Sequence, residues 1–317
     1  MLHLDDDTIA RLLDLASVTD VVGDAFAAWG RGEADTTQRV RSAAGGGMAS
    51  AMAAVVPPFS GGKVYATKSG VFTFVNVLFD LDGRFLCTLD GDALTRFRTP
   101  AACAIAIRAL AAPNVRTAAL VGAGRQGWYH LEMLAAELPE LTEIRINDLR
   151  PDAASAMAER ACDAGMPAKP AESPAAAVEG ADVIVTVTQA TAPLFPAEAI
   201  SDRALVCAVG ATKYDRCEID PGLIERSVAI VCDDVTGSRV ECGDLIQAAA
   251  AGRFDWSRAV ELHAIAAGTI DVPRAGRGPV LFETQGVALQ DVAAAGLAWQ
   301  RFQRQSQHMH VTQRSDS

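Results

Sequence analysis

The 317-residue chain sets 28 lysines and arginines against 39 aspartates and glutamates, for a formal net charge of −11 and a pI near 4.9. That balance argues against nucleic acid or an anionic membrane as the main partner, since either would meet a repulsive field. Half of the residues are hydrophobic, enough for about two domain cores, yet no run approaches the roughly 20 apolar residues of a membrane span.

The opening Met1–Asp7 is acidic where a secretory signal is basic, so a cytoplasmic protein is expected. Residues 1–34 read as helical after a short strand, with a capping box at Ser17 and Asp20 and an apolar face of Val21, Val22, Ala25, Phe26 and Trp29. From Thr36 to Lys68 the pattern changes to extended segments, Met52–Val56 and Lys63–Lys68, interrupted by Pro57–Pro58 and Gly61–Gly62. Val71–Asp80 and Arg84–Leu89 around an Asp82–Gly83 turn predict a hairpin. Thr99 then reads as the N-cap of a helix beginning at Pro100, which leaves Arg98 at a helix start, where a cation is unfavourable. A residue placed against its local preference points to a task, most simply gripping an anion, the alternative being a packing or surface-pair role.

Ala118–Val121 runs into Gly122-x-Gly124-x-x-Gly127, followed by a helical pattern from Trp128 to Leu138. This strand, glycine turn and helix form the context in which the motif signifies dinucleotide binding. Gly122 permits the tight turn, Gly124 admits a diphosphate, and Gly127 lets the helix pack close to the strand. Asp148 closes the next strand, Glu143–Asn147, about 20 residues past Gly127, where a carboxylate accepts hydrogen bonds from the ribose hydroxyls and repels a 2′-phosphate. NAD (as NADH) is therefore expected over NADP, although Arg150 stands near enough to hold such a phosphate. Further strands at 183–188, 204–209, 228–232 and 279–284 alternate with helices, which predicts a doubly wound parallel sheet. Thr188 falls at its carboxyl edge, where ligands bind. Gly286–Phe302 reads as a terminal helix and the polar tail after Arg304 as disordered. Seven scattered cysteines without a CxxC pair, and the Asp233–Asp234 pair without further ligands nearby in sequence, predict neither disulfide nor metal site.

Together Arg39, Met52, Gly-Gly-Lys63, Leu89-Asp90-Gly91, Leu94-Thr95-x-x-Arg98-Thr99, Gly122-x-Gly124-x-Gln126, Asp148, Glu218-Ile219-Asp220 and Phe282-x-Thr284-x-Gly286-x-Ala288-x-x-Asp291 resemble the ornithine cyclodeaminase/mu-crystallin family over nearly the whole chain. The resemblance implies an α/β fold. A Rossmann domain (113–286) would be joined to a second α+β substrate and dimerisation domain (1–112, completed by the C-terminal helix 287–317) that makes a homodimer. It implies that Arg39, Lys63 and Arg98 surround a substrate carboxylate, that Gly122, Gly124, Arg125, Gln126, Gly127, Asp148, Thr99 and Thr188 serve the cofactor, and that Thr284 lies near its nicotinamide. This chain departs from the cyclodeaminases at two acidic positions, with Thr212 and Ser50 in their place, and Lys68-Ser69-Gly70 replaces the usual Pro-x-Asn. Without those acids nothing holds the distal amine of ornithine.

The expected activity is therefore NADH-dependent reduction of a small 2-imino acid, reversible as an amino-acid dehydrogenase. Arg98 and Arg39 would bind the carboxylate, Lys63 would protonate the imine nitrogen, and Thr212 would touch substrate. Lys68, with Arg41 and Arg96, leaves two readings open: a dicarboxylic substrate, because surplus buried cations repel unless an anion joins them, or cations that point to solvent or pair with the plentiful aspartates and glutamates. The alternatives are ornithine cyclodeamination with catalytic NAD, and a non-catalytic dinucleotide-binding protein.

Overall fold

The strand and helix patterns sort into two units in the structure, a computed structural model that describes residues 1–69 and 71–315. One unit comprises Met1–Ala101 with Val287–Ser317, and the other Ala102–Gly286. The division falls inside the helix Asp92–Leu110, whereas sequence reading put it after residue 112. No helix among the described residues is long and apolar enough to cross a membrane.

In the first unit, Gly47–Val56, Phe59–Lys68, Val71–Asp80 and Phe85–Asp90 form an antiparallel meander. His3–Leu4 adds in parallel at one edge, and Asp35–Thr36 and Val40–Ala44 pair with Gly47–Val56 at the other. Gly61 and Gly62 do not interrupt the second strand but lie within it. A Cβ on Gly61 would stand 2.3 Å from the Val77 carbonyl oxygen, and one on Gly62 2.7 Å from that of Met52, so glycine lets the neighbouring strands approach. The strand therefore runs unbroken to Lys68, and side-chain alternation carries Lys63 and Lys68 to opposite faces.

The helices Leu15–Gly30 and Ala288–Ser315 belong to the same unit. The first buries Val22, Ala25 and Phe26, and it is capped by Asp14, whose carboxylate accepts from the Ser17 N–H at 2.8 Å; the expected box at Ser17 and Asp20 does not form. The second lies on the meander closely enough that a Cβ on Gly296 would meet the Phe59 ring at 2.5 Å. It begins at Ala288 and continues through Ser315, so the segment from Gln305 to Ser315 is helical where sequence reading placed disorder; Asp316 and Ser317 lie outside the described residues.

The second unit is an eight-stranded, all-parallel sheet. Its order is Ala168–Pro170, Glu143–Asn147, Thr117–Val121, Val183–Thr186, Leu205–Ala208, Val280–Glu283, Ala229–Cys232 and Ala259–Glu261. The chain winds outward from Thr117–Val121 in one direction, then returns to Val183–Thr186 on its other side. Between these two strands lies the switch point of a doubly wound sheet, the place where such sheets bind ligands. Nearly every residue of the central strands is buried, as helices on both faces require. Six of the seven cysteines are buried, all seven are free, and no metal-holding cluster occurs among the described residues.

Candidate active site

In the second unit the glycine motif forms a cradle. Gly122 has φ +115°, and a Cβ there would sit 2.6 Å from the Val187 carbonyl oxygen. A Cβ on Gly127 would stand 2.1 Å from the Gly122 carbonyl, so this glycine brings the helix Arg125–Glu137 onto the strand. Gly124, by contrast, is exposed and faces open space, with no heavy atom within 4 Å of where its Cβ would be. No side chain caps this helix, and Arg125 and Gln126 occupy its first turn. Free N–H groups, a helix dipole and unfilled space fit a diphosphate. Asp148 is aimed at the cradle, with Oδ2 accepting from the Ala123 N–H at 2.8 Å and Oδ1 from the Arg150 N–H at 2.9 Å. The Arg150 side chain is largely exposed, 3.7 Å from Asp148 Oδ1 at its Nε.

Buried carboxylates tie the loops at the carboxyl edge. Glu218 accepts from the Thr188 N–H at 2.6 Å, the Gly210 N–H at 2.7 Å and the Thr186 hydroxyl at 2.9 Å, joining the ends of two adjacent strands. Burial raises its pKa against these donors. Asp233 accepts from the Thr284 hydroxyl at 2.6 Å and the Gly286 N–H at 2.7 Å; burial pushes it up to about 6 although these bonds pull it down. Thr212 is half-buried, its N–H donating to the Gly210 carbonyl at 2.9 Å. The roles of Glu218 and Asp233 were missed in sequence. Glu218 stood out only within its motif, and Asp233 only as part of an acidic pair.

In the first unit the helix Asp92–Leu110 begins eight residues earlier than expected. Its first turn is held by Asp6, whose carboxylate accepts from the Ala93 N–H at 2.6 Å. Thr99 is therefore not an N-cap; its hydroxyl donates to the Thr95 carbonyl one turn back, and Pro100 lies inside the helix. Arg98 is likewise not at a helix start. Thr95, Arg98 and Thr99 share a face through their three- and four-residue spacing.

Lys63 meets that face. Its side chain is 1% exposed, and Nζ donates to Thr95 Oγ1 at 2.7 Å and to Asp291 Oδ1 at 3.1 Å. Arg98 places Nε 3.3 Å from the same Asp291 oxygen, while its Nη1 donates to Gln290 Oε1 at 2.9 Å. Gln290 and Asp291 come from the first turn of the C-terminal helix, where the dipole favours a carboxylate. Arg39 precedes the strand Val40–Ala44, whose register, continued by one residue, sets it opposite Met52, in the same row as Lys63 on the far side of Met52; its charge acts on both Lys63 and Asp291. Burial lowers the Lys63 pKa to about 8, with Arg98 and Arg39 pushing the same way against Asp291. Burial alone would raise Asp291, but Lys63, Arg98 and Arg39 outweigh it and hold the carboxyl below its usual range.

Asp291 changes the charge argument for the substrate. Sequence reading found cations in want of an anion, and the chain supplies one itself. Lys68, proposed as a substrate ligand, is exposed on the face opposite Lys63, and Arg96 pairs with Asp92 at 3.3 Å. Arg41 is exposed. Ser69 has φ +51°, and Gly70 of the divergent Lys68-Ser69-Gly70 stretch lies outside the described residues.

The chain belongs to the ornithine cyclodeaminase/mu-crystallin family, whose family model matches residues 3–306. It is 32% identical over 304 residues to a Delta(1)-pyrroline-2-carboxylate/Delta(1)-piperideine-2-carboxylate reductase of Azospirillum brasilense, covering 91% of this chain and 92% of that protein. Among solved structures it resembles a probable ornithine cyclodeaminase from Bordetella pertussis Tohama I, at 38% identity and a TM-score of 0.91 over 96% of this chain and 98% of the other. The iminosuccinate reductase of Paracoccus denitrificans in complex with NAD+ matches with a TM-score of 0.90 at 26% identity, over 96% of this chain and 97% of the other.

Proposed function

We propose that the protein is an NADH-dependent reductase of 2-imino acids, reversible as an amino-acid dehydrogenase. Its likeness to imine reductases over most of its length supports the reaction class. The observation that carries the residue assignment is the buried contact of Lys63 and Arg98 with Asp291, within the field of the half-buried Arg39, which keeps more positive than negative charge for an incoming carboxylate. Arg98 and Arg39 bind the substrate carboxylate. Asp291 and Gln290 fix the Arg98 guanidinium, so that its remaining N–H groups are aimed before substrate arrives. Lys63 acts at nitrogen as general acid in reduction and general base in oxidation, a task suited to a lysine of pKa about 8. When bound, the nicotinamide dinucleotide supplies or takes up the hydride at the imine carbon.

Gly122, Gly124 and Gly127, with Arg125, Gln126 and Asp148, hold the dinucleotide, and the Asp148 carboxylate favours NAD over NADP. Thr99, Thr188 and Thr284 are assigned to the cofactor and Thr212 to the substrate. The deciding assay is NADH oxidation with cyclic ketimine carboxylates and with 2-oxo acids plus amines, dicarboxylic ones included. Turnover is expected, and its absence across that panel refutes the assignment. Release of ammonia from ornithine without added NADH supports the cyclodeaminase alternative instead. That outcome would require Ser50 and Thr212 to serve in place of two carboxylates.

A homodimer is proposed through the outer face of the meander. Val40, Ala51, Val64 and Val75 stand opposite one another across four strands, and Val40, Val64 and Val75 are exposed together with Val55. An apolar sheet face of this kind calls for a cover, and a second copy supplies one of the same chemistry.

A further inference from the structure

The inner face of the meander carries one more polar side chain that the mechanism above does not use. Met52, Lys63, Asn76 and Leu89 lie directly opposite one another across four strands, so all four share a face. Asn76 is 2% exposed, and neither its amide oxygen nor its amide nitrogen has a hydrogen-bond partner. A buried carboxamide unpaired at both ends is costly to keep, and such groups in folded proteins call for a reason.

The surroundings of Asn76 are built to admit it beside the reacting amine. Gly91 leaves it room: a Cβ there would stand 2.9 Å from Asn76 Nδ2 and 2.4 Å from Phe74 Cβ. Gly91 is one helical turn before Thr95, whose hydroxyl accepts from Lys63. Phe74, two residues before Asn76, sets its ring 4.5 Å from Lys63 Nζ. Ser50 Oγ, in the adjoining row, is also buried without a partner. A hydroxyl can turn to suit any neighbour, whereas a carboxamide offers a donor nitrogen and an acceptor oxygen at a fixed spacing.

A protonated 2-imino acid offers the complement. Its N–H donor and a carboxylate oxygen lie side by side in one plane, spaced much as the oxygen and nitrogen of a carboxamide are. We propose that Asn76 determines specificity by reading this pair, its Oδ1 accepting from the iminium N–H and its Nδ2 donating to the carboxylate.

The inference rests on the imine-reductase reading and sharpens it. With the in-plane N–H held by Asn76, Lys63 acts out of the plane. As the carbon–hydrogen bond forms, the π pair of the C=N bond becomes a nitrogen lone pair on the face of the former plane. That pair takes a proton from Lys63 Nζ, leaving ammonium product and neutral lysine. A 2-oxo acid turns a ketone oxygen toward Oδ1 instead of a donor, and two acceptors repel.

The test uses two flat rings that differ at one atom. Pyrrole-2-carboxylate has an N–H beside its carboxylate, and furan-2-carboxylate has a ring oxygen there. Their affinities are measured calorimetrically with NADH present, for the parent and for Asn76→Leu and Asn76→Ala, with thermal melts to confirm folding. The parent is expected to prefer the pyrrole by about tenfold or more, and both variants to bind the two rings within about twofold of each other. A parent that does not discriminate, or that binds neither ring, overturns the proposal, as does a preference that survives in either folded variant. NADH oxidation with imines is measured separately. Ring discrimination that depends on Asn76 without imine turnover refutes the reductase reading and leaves the contact standing.

Discussion

Replacing Asp291 with Asn removes the anion that holds the charge on Lys63, and the pH profile reports it. Asp291 Oδ1 lies 3.1 Å from Lys63 Nζ. At an effective dielectric constant of about 20, Coulomb's law gives an attraction of about 5 kcal/mol, an upper bound near 4 pK units. Pairs of this kind realise about 1–3 units. Lys63, at about 8 in the parent, should therefore fall to about 5–7 in Asp291→Asn. Reduction consumes the lysine proton, so kcat/KM for imine reduction is present below that pKa and lost as pH rises through it. Amino-acid oxidation needs the neutral amine and shows the opposite limb. Initial rates in both directions across pH 5–10 should place the parent midpoint near 8 and the variant's at lower pH. At pH 7.5 the variant should lose roughly tenfold in reduction. Its stability deficit should be larger at pH 5 than at pH 8, approaching about 3–5 kcal/mol where Lys63 is charged without its partner. Coincident midpoints in parent and variant would refute the assignment of this limb to Lys63.

The glycines of the cradle should separate folding from binding. Gly127→Ala meets the Gly122 carbonyl and should lower Tm, with about 1–3 kcal/mol or more of destabilisation, whereas Gly124→Ala should keep the parent Tm and weaken NADH binding about tenfold or more; parent-like NADH affinity in Gly124→Ala would show that no diphosphate sits there. Asp148→Ser should narrow a parental preference for NADH over NADPH of about 2 kcal/mol or more. Equal kcat/KM with both cofactors in the parent would overturn the role given to Asp148. Val64→Asp puts a charge in the centre of the exposed apolar row and should convert a dimer to monomer in sedimentation. A parent that already sediments as a monomer contradicts the proposed interface.

The dinucleotide cradle was legible in the sequence because its physics is local. Strand, glycines, helix and Asp148 follow one another within a single βαβ unit, and each glycine's steric role is set by neighbours a few residues away, apart from the approach of Val187 to Gly122. The substrate side is different. Lys63 stood out only through resemblance, and Arg98 otherwise only for a helix start it does not occupy, because the carboxylate that joins them is 228 residues from Lys63 in the chain. The proline rule placed a helix start at Pro100, yet the helix begins at Asp92, because the N–H of Ala93 is capped by Asp6, a residue no local pattern connects to it. Gly61–Gly62 looked like a break, and only the close approach of the flanking strands makes it the middle of one. That continuity puts Lys68 on the face away from Lys63. Composition and local spacing determine which segments become strands and helices and where a dinucleotide can lie. Which charges end up buried together is decided by strand register and by the return of the C-terminal helix, since a buried ion is tolerated only where its partner arrives, and that partner comes from far along the chain.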